Sequence, residues 1–175
     1  MQYTRDGAMT ALILGFFASS WFGWAQEKPP PGWRSPLIVG AVLSLIVAVV
    51  GAVYAWRNWS GGSALSEPGA MRHYGIIVGV EFGTAAAGAA ALALWGRGEY
   101  TAAWVCLVVS AHFWPMAPVL NSPSLVGLGV LLTVVAAAAV FVSRQTGIAP
   151  SAVTGAGAGV ALLGFATWAA VSVIA

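Results

Sequence analysis

The sequence predicts an all-α fold, an integral membrane helical bundle of about six transmembrane helices, and three observations carry that prediction. Of the 175 residues, 59% are hydrophobic and only 7% charged, whereas a soluble domain carries about 25% charged residues. So few charges cannot cover the surface of a soluble protein of this size. The apolar residues also fall into runs of about twenty, the length that a helix needs to cross roughly 30 Å of hydrocarbon. Finally, all the connections but one are short, which makes neighbouring spans antiparallel and adjacent. No linker or shift in composition divides the chain, so residues 1–175 read as a single transmembrane domain.

Span 1 covers about 8–25, after a short polar lead with Arg5 and Asp6. Its end is bulky, with Trp21, Phe22 and Trp24, and no small-residue cleavage site follows. It therefore reads as a membrane span rather than a signal peptide, with its tryptophans in the interfacial belt. Pro29-Pro30-Pro31-Gly32 stops any helix. Span 2 covers about 36–56, rich in Val, Ile and Leu, and is expected to face lipid along much of its length. The longest loop, 60–73, contains Gly61, Gly62, Pro68 and Gly69 and reads as flexible. Span 3 (about 74–95) and span 4 (about 100–120) join at Gly96-Arg97-Gly98, span 5 covers about 125–142, and span 6 about 151–174. Loops on one side carry Arg5, Arg57 and Arg72; loops on the other carry Lys28, Arg34, Arg97 and Arg144. The positive-inside rule therefore fixes no orientation.

Several functions fall away on composition. The small positive balance, 7 Lys+Arg against 5 Asp+Glu, contains no run dense enough for nucleic acid. Cys106 stands alone, which excludes an intramolecular disulfide and a multi-Cys metal site. No lysine lies in a span, so a Schiff-base chromophore is excluded, and no cofactor is expected. Ser110 is two positions from His112 and points away from it, which removes a Ser–His nucleophile.

What remains is a pair of ionisable groups inside spans. Glu81 lies in span 3 and His112 in span 4. The point midway between them in sequence falls in the Gly96–Gly98 turn, so a helical hairpin places both at one depth. Each is then about 23 Å along its helix from that turn, inside the hydrocarbon. An ionised carboxylate there costs on the order of 3 kcal/mol on insertion scales, and a protonated one less. Thr84, one turn from Glu81, offers a hydroxyl on the same face. Gly75, Gly79 and Gly83 form a small-xxx-small ladder on the other face, made for close helix contact. Beyond His112, Pro115 and Pro118 each remove a backbone donor, which predicts a kinked or broken span 4. Gly155 and Gly159 make span 6 a close-packing helix and a candidate dimer seam.

The run Gly79-Val80-Glu81, followed after the turn by Val109-Ser110-Ala111-His112-Phe113-Trp114-Pro115-Met116-Ala117, resembles a pattern in small multi-span membrane proteins of actinobacteria. In those a Glu in one span is followed by an H-F-x-P-L-A signature in the next, with Met116 here in place of Leu. The resemblance covers roughly residues 74–121 and carries no activity with it. It implies that Glu81, His112 and Pro115 belong together.

The expected function is a small proton- or cation-linked transporter or channel-like protein of the bacterial inner membrane. Glu81 would bind and release the proton or cation, with His112 modulating it and the Pro115 kink opening the cavity they line. The alternative is a non-catalytic accessory subunit or lipid-binding scaffold. A third reading is an enzyme acting on a lipid or quinone with Glu81 and His112 as acid and base. The expected partners are membrane lipids and a second copy of the chain or a larger membrane complex, with no nucleic acid.

Overall fold

A computed structural model describes residues 3–174. Six α-helices follow one another: α1 (Thr4–Ala25), α2 (Arg34–Arg57), α3 (Ala70–Leu94), α4 (Thr101–Val119), α5 (Ser124–Thr146) and α6 (Pro150–Ile174). There is no strand among the described residues. All six helices are long and apolar enough to cross a membrane. The chain is a multi-pass helical membrane protein. The expected spans hold with shifted ends. Helix α3 starts a turn earlier than its apolar run, at Ala70, and α5 continues through Arg144 to Thr146.

The connections follow from their turn residues. Trp33 donates its N–H to the Pro30 carbonyl at 3.1 Å, with Gly32 at φ 82°. That is a type II turn with proline and glycine at its two central positions. Helix α3 ends with Gly96 at φ 66°, the Arg97 N–H reaching the Leu92 carbonyl at 2.7 Å and the Gly96 N–H reaching that of Ala93 at 3.1 Å. This is a Schellman cap, and it turns the chain back into α4. The 60–73 loop is tied down rather than loose. Asp6 accepts the Ala64 N–H at 2.7 Å, and Arg5 donates to the Trp59 carbonyl at 3.2 Å with its guanidinium over the Trp59 ring.

Helix α6 is the hub, touching α1, α2, α4 and α5. Its buried stripe is made of small residues, among them Gly155, Ala158, Gly159, Ala166 and Ala169. A Cβ on Gly155 would lie 2.5 Å from the Trp21 carbonyl oxygen of α1, and one on Gly159 would meet the Phe22 ring. These two glycines therefore do the close packing expected of span 6, and because they do it inside the chain they are covered rather than free as the candidate dimer seam. Helices α1 and α2 approach equally closely. A Cβ on Gly51 would lie 2.5 Å from the Leu12 nitrogen, and one on Gly15 would lie 2.8 Å from the Ser44 carbonyl oxygen.

Helix α3 is the outlier. It packs chiefly on α4, and none of its residues is buried. The Gly75, Gly79 and Gly83 ladder meets nothing within 4 Å and faces away from the bundle. Within the chain, the close contact expected of it is not made.

These distances separate the two sets of glycines. Gly51→Leu or Gly155→Leu forces a side chain into neighbouring backbone, and overpacking of this kind costs about 1–3 kcal/mol or more. Thermal unfolding of the detergent-solubilised protein should show a lower Tm for both and little change for Gly79→Leu. An equal loss at Gly79 would mean that its face is not free.

Candidate functional site

The outlying position of α3 leaves a gap between it and α1, with α4 as its floor. The gap is a cavity of about 500 Å³. Helix α1 contributes Ile13, Leu14, Phe17, Ser20, Trp21 and Trp24. On α3, Tyr74, Val78, Glu81, Phe82 and Ala85 recur at intervals of three to four residues, one face of the helix. The floor is Val105, Val109, His112, Phe113 and Met116 of α4, and Leu162 of α6 closes the back. Ile13, Phe17 and Phe82 are exposed and mark the mouth, which opens between α1 and α3 toward the hydrocarbon.

Glu81 and His112 meet in this cavity. The Glu81 Oε1 and His112 Nδ1 atoms are 3.5 Å apart, and the two side chains keep only 15% and 13% of their exposure. The register of the hairpin puts them at one level, as their equal sequence distance from the turn requires, and the facing of α3 on α4 brings the side chains together. At 1.5 Å per residue, Glu81 lies about 17 Å from one end of α3 and about 20 Å from the other, near mid-membrane. The separation lies just outside ordinary hydrogen-bond range, and the buried Nδ1 has no hydrogen-bond partner within the chain. The His112 ring also lies beside Phe113, with centroids 4.2 Å apart.

The other candidates separate. Thr84 does not join the pair. It is exposed, Ala85 takes the cavity-facing position one residue on, and the Thr84 carbonyl instead accepts the Trp104 indole N–H at 3.3 Å. Trp104 lies so close to Gly88 that no side chain fits there, which locks α3 to α4. Pro115 and Pro118 lie inside α4, and the helix runs unbroken through both to Val119. Of the kink or break expected at them, the break does not occur: Pro118 falls in the final turn, and Pro115 leaves only the Ala111 carbonyl without its helical donor. There the Ser122 N–H reaches the Ala117 carbonyl at 2.9 Å and the Asn121 N–H that of Pro118 at 3.2 Å, capping the helix end. Ser110 points away from His112, as its spacing requires. It bonds the Leu107 carbonyl and receives the Thr133 hydroxyl of α5 at 3.0 Å. Cys106 is fully buried against the Leu132 carbonyl at 3.4 Å, a packing residue of the α4–α5 contact.

Sequence reasoning missed the α1 wall. Trp21 is 5% exposed and stacks on Trp24 with centroids 5.3 Å apart, facing the cavity. Its place in the interfacial belt is thereby corrected. A signal was present: Phe17, Trp21 and Trp24 recur at helical spacing on one face.

No protein-family model, curated protein or solved structure matches the chain.

The geometry predicts that the pair contributes little to stability. It has partial exposure and no formed hydrogen bond, so a Glu81→Gln, His112→Gln double-mutant cycle in detergent should give a coupling below about 1 kcal/mol. A coupling of several kcal/mol would make the two groups structural glue.

Proposed function

We propose that the protein is a small proton- or cation-linked membrane transporter in which Glu81 is the exchangeable site. One observation carries the reading. Glu81 and His112, ionisable groups at mid-membrane depth on separate helices, converge to 3.5 Å on the wall of a cavity open at one side. Ionisable side chains inside spans mark proton or ion pathways by default, because their insertion is costly. An imidazole beside a carboxyl gives a proton a second place to reside near neutral pH. Helix α3 is held mainly by α4, so it is the element freest to move against α1 and change access to the pair. The resemblance of the Glu81, His112 and Pro115 pattern to small actinobacterial membrane proteins adds a bacterial inner membrane as the expected setting.

A second reading has its own observation. The bare glycine face of α3 fits a non-catalytic subunit that docks on another membrane helix, a homodimer or a larger complex included. On that reading Glu81 and His112 do no transport.

Liposomes with a trapped pH-sensitive dye distinguish the two. With inorganic and organic cations supplied in turn on the far side, the transport reading expects wild-type protein to dissipate an imposed pH gradient with at least one of them and Glu81→Gln to slow this by about tenfold or more, the scale of losing a charge-dependent step. His112→Gln should slow it less. Gradient loss through Glu81→Gln at the wild-type rate, or no loss through the wild type, would give the lead to the docking subunit.

A further inference from the structure

We propose that the cavity between α1, α3 and α4 takes a lipophilic organic cation, such as a quaternary ammonium or phosphonium with apolar substituents, which replaces the proton on Glu81. This rests on the transport reading and names its substrate class.

The charge inventory of the cavity comes first. Helix α3 presents Tyr74 and Glu81, α4 presents His112, and α1 and α6 present no ionisable group. Among the described residues no lysine or arginine lines the wall. An ionised Glu81 therefore has no permanent cation to face, and the only chain group able to supply one is His112. An occupant carrying a positive charge meets that need directly. A proton and a cation then compete for one carboxylate, which is the condition for exchange.

The rest of the wall decides what kind of cation. A hard inorganic ion asks for several oxygen ligands, about six to eight for calcium. Glu81 is the only carboxylate here, and the Ser20 hydroxyl is already bonded to the Phe16 carbonyl at 3.2 Å. The surface is instead aromatic: Phe17, Trp21, Trp24, Tyr74, Phe82 and Phe113. Ring faces attract cations within about 6 Å of their centroids, most strongly where water is excluded. A diffuse charge with apolar substituents leaves water easily and satisfies both surfaces at once. The cavity volume of about 500 Å³ lies within the roughly 300–1,000 Å³ of small-molecule sites. Its mouth at Phe17 and Phe82 faces the lipid, where such cations partition.

The test uses tetraphenylphosphonium as the probe and triphenylphosphine oxide as a neutral control with the same rings. Binding is measured by titration calorimetry on the purified protein in mild detergent. The wild type should bind the phosphonium, more weakly as the pH is lowered. Glu81→Gln should raise Kd by about tenfold or more, as expected for losing a charged contact. Glu81→Asp, which keeps the charge, should retain binding and guards against a folding defect in the first variant. The paired Phe17→Leu, Trp24→Leu variant should weaken binding of the cation. Equal binding of the neutral oxide, or phosphonium binding unchanged in Glu81→Gln, overturns the proposal. Glu81-dependent proton movement in liposomes without phosphonium binding overturns the substrate class alone. Glu81-dependent phosphonium binding without proton movement supports the site and overturns transport.

Discussion

The structure depends on close backbone approach at small residues. In hydrocarbon an apolar side chain gains little by leaving lipid for protein, so helices associate where their surfaces come near enough for dispersion contacts. Four such approaches hold the bundle: Gly15 against Ser44 and Ala48, Gly51 against Ala8 and Leu12, Gly155 against Trp21 and Ala25, and Gly129 of α5 against Ser110 of α4. The first three lock α1, α2 and α6 into one unit, and the fourth joins α5 to α4. Helices α5 and α4 build onto α6, and the Ser110–Thr133 hydroxyl contact adds a polar clasp between them. Nothing comparable joins α3 to α1. The cavity exists because that one seam is missing.

The position of Glu81 in the cavity is set by interactions local in sequence. The Schellman cap at Gly96 fixes the turn, and Trp104 fits against Gly88 while its indole bonds the Thr84 carbonyl. Those contacts hold the rotation and register of α3 on α4 without help from the core. The catalogue of contacts made by α3 is otherwise thin, so motion of α3 relative to α1 need not disturb the Glu81–His112 distance.

Depth was legible in the sequence and direction was not. Two residues equidistant from a tight turn in an antiparallel hairpin share a level, and this held for Glu81 and His112 with no knowledge of packing. Which side of a span faces protein is harder, because lipid and core are both apolar and the hydrophobic period that marks a soluble helix fades. Thr84 and Ala85 are both one turn from Glu81, and only the structure selects Ala85. A glycine ladder likewise states that a helix can approach another closely, without naming the partner. Gly155 and Gly159 use that capacity inside the chain; Gly75, Gly79 and Gly83 do not. Trp21 was misplaced for a related reason, since a tryptophan near a span end fits both an interface and an aromatic wall.

On the proposed transport reading, the same physics that makes the carboxyl expensive would make it a coupling device. A bare Glu81 carboxylate at mid-membrane carries a penalty on the order of 3 kcal/mol or more, and the apolar wall offers no fixed cation to offset it. Its low-energy states are those in which the carboxyl is filled: by its own proton, by a charged His112 beside it, or by a cation in the cavity. The bare state is the one to be avoided on passing from one side to the other. On the proposed transport reading such a site exchanges its occupants rather than losing them singly, with leak opposed by desolvation. Among the described residues α3 is the one helix without a buried residue, and the proposed exchange would draw on that loosely held element.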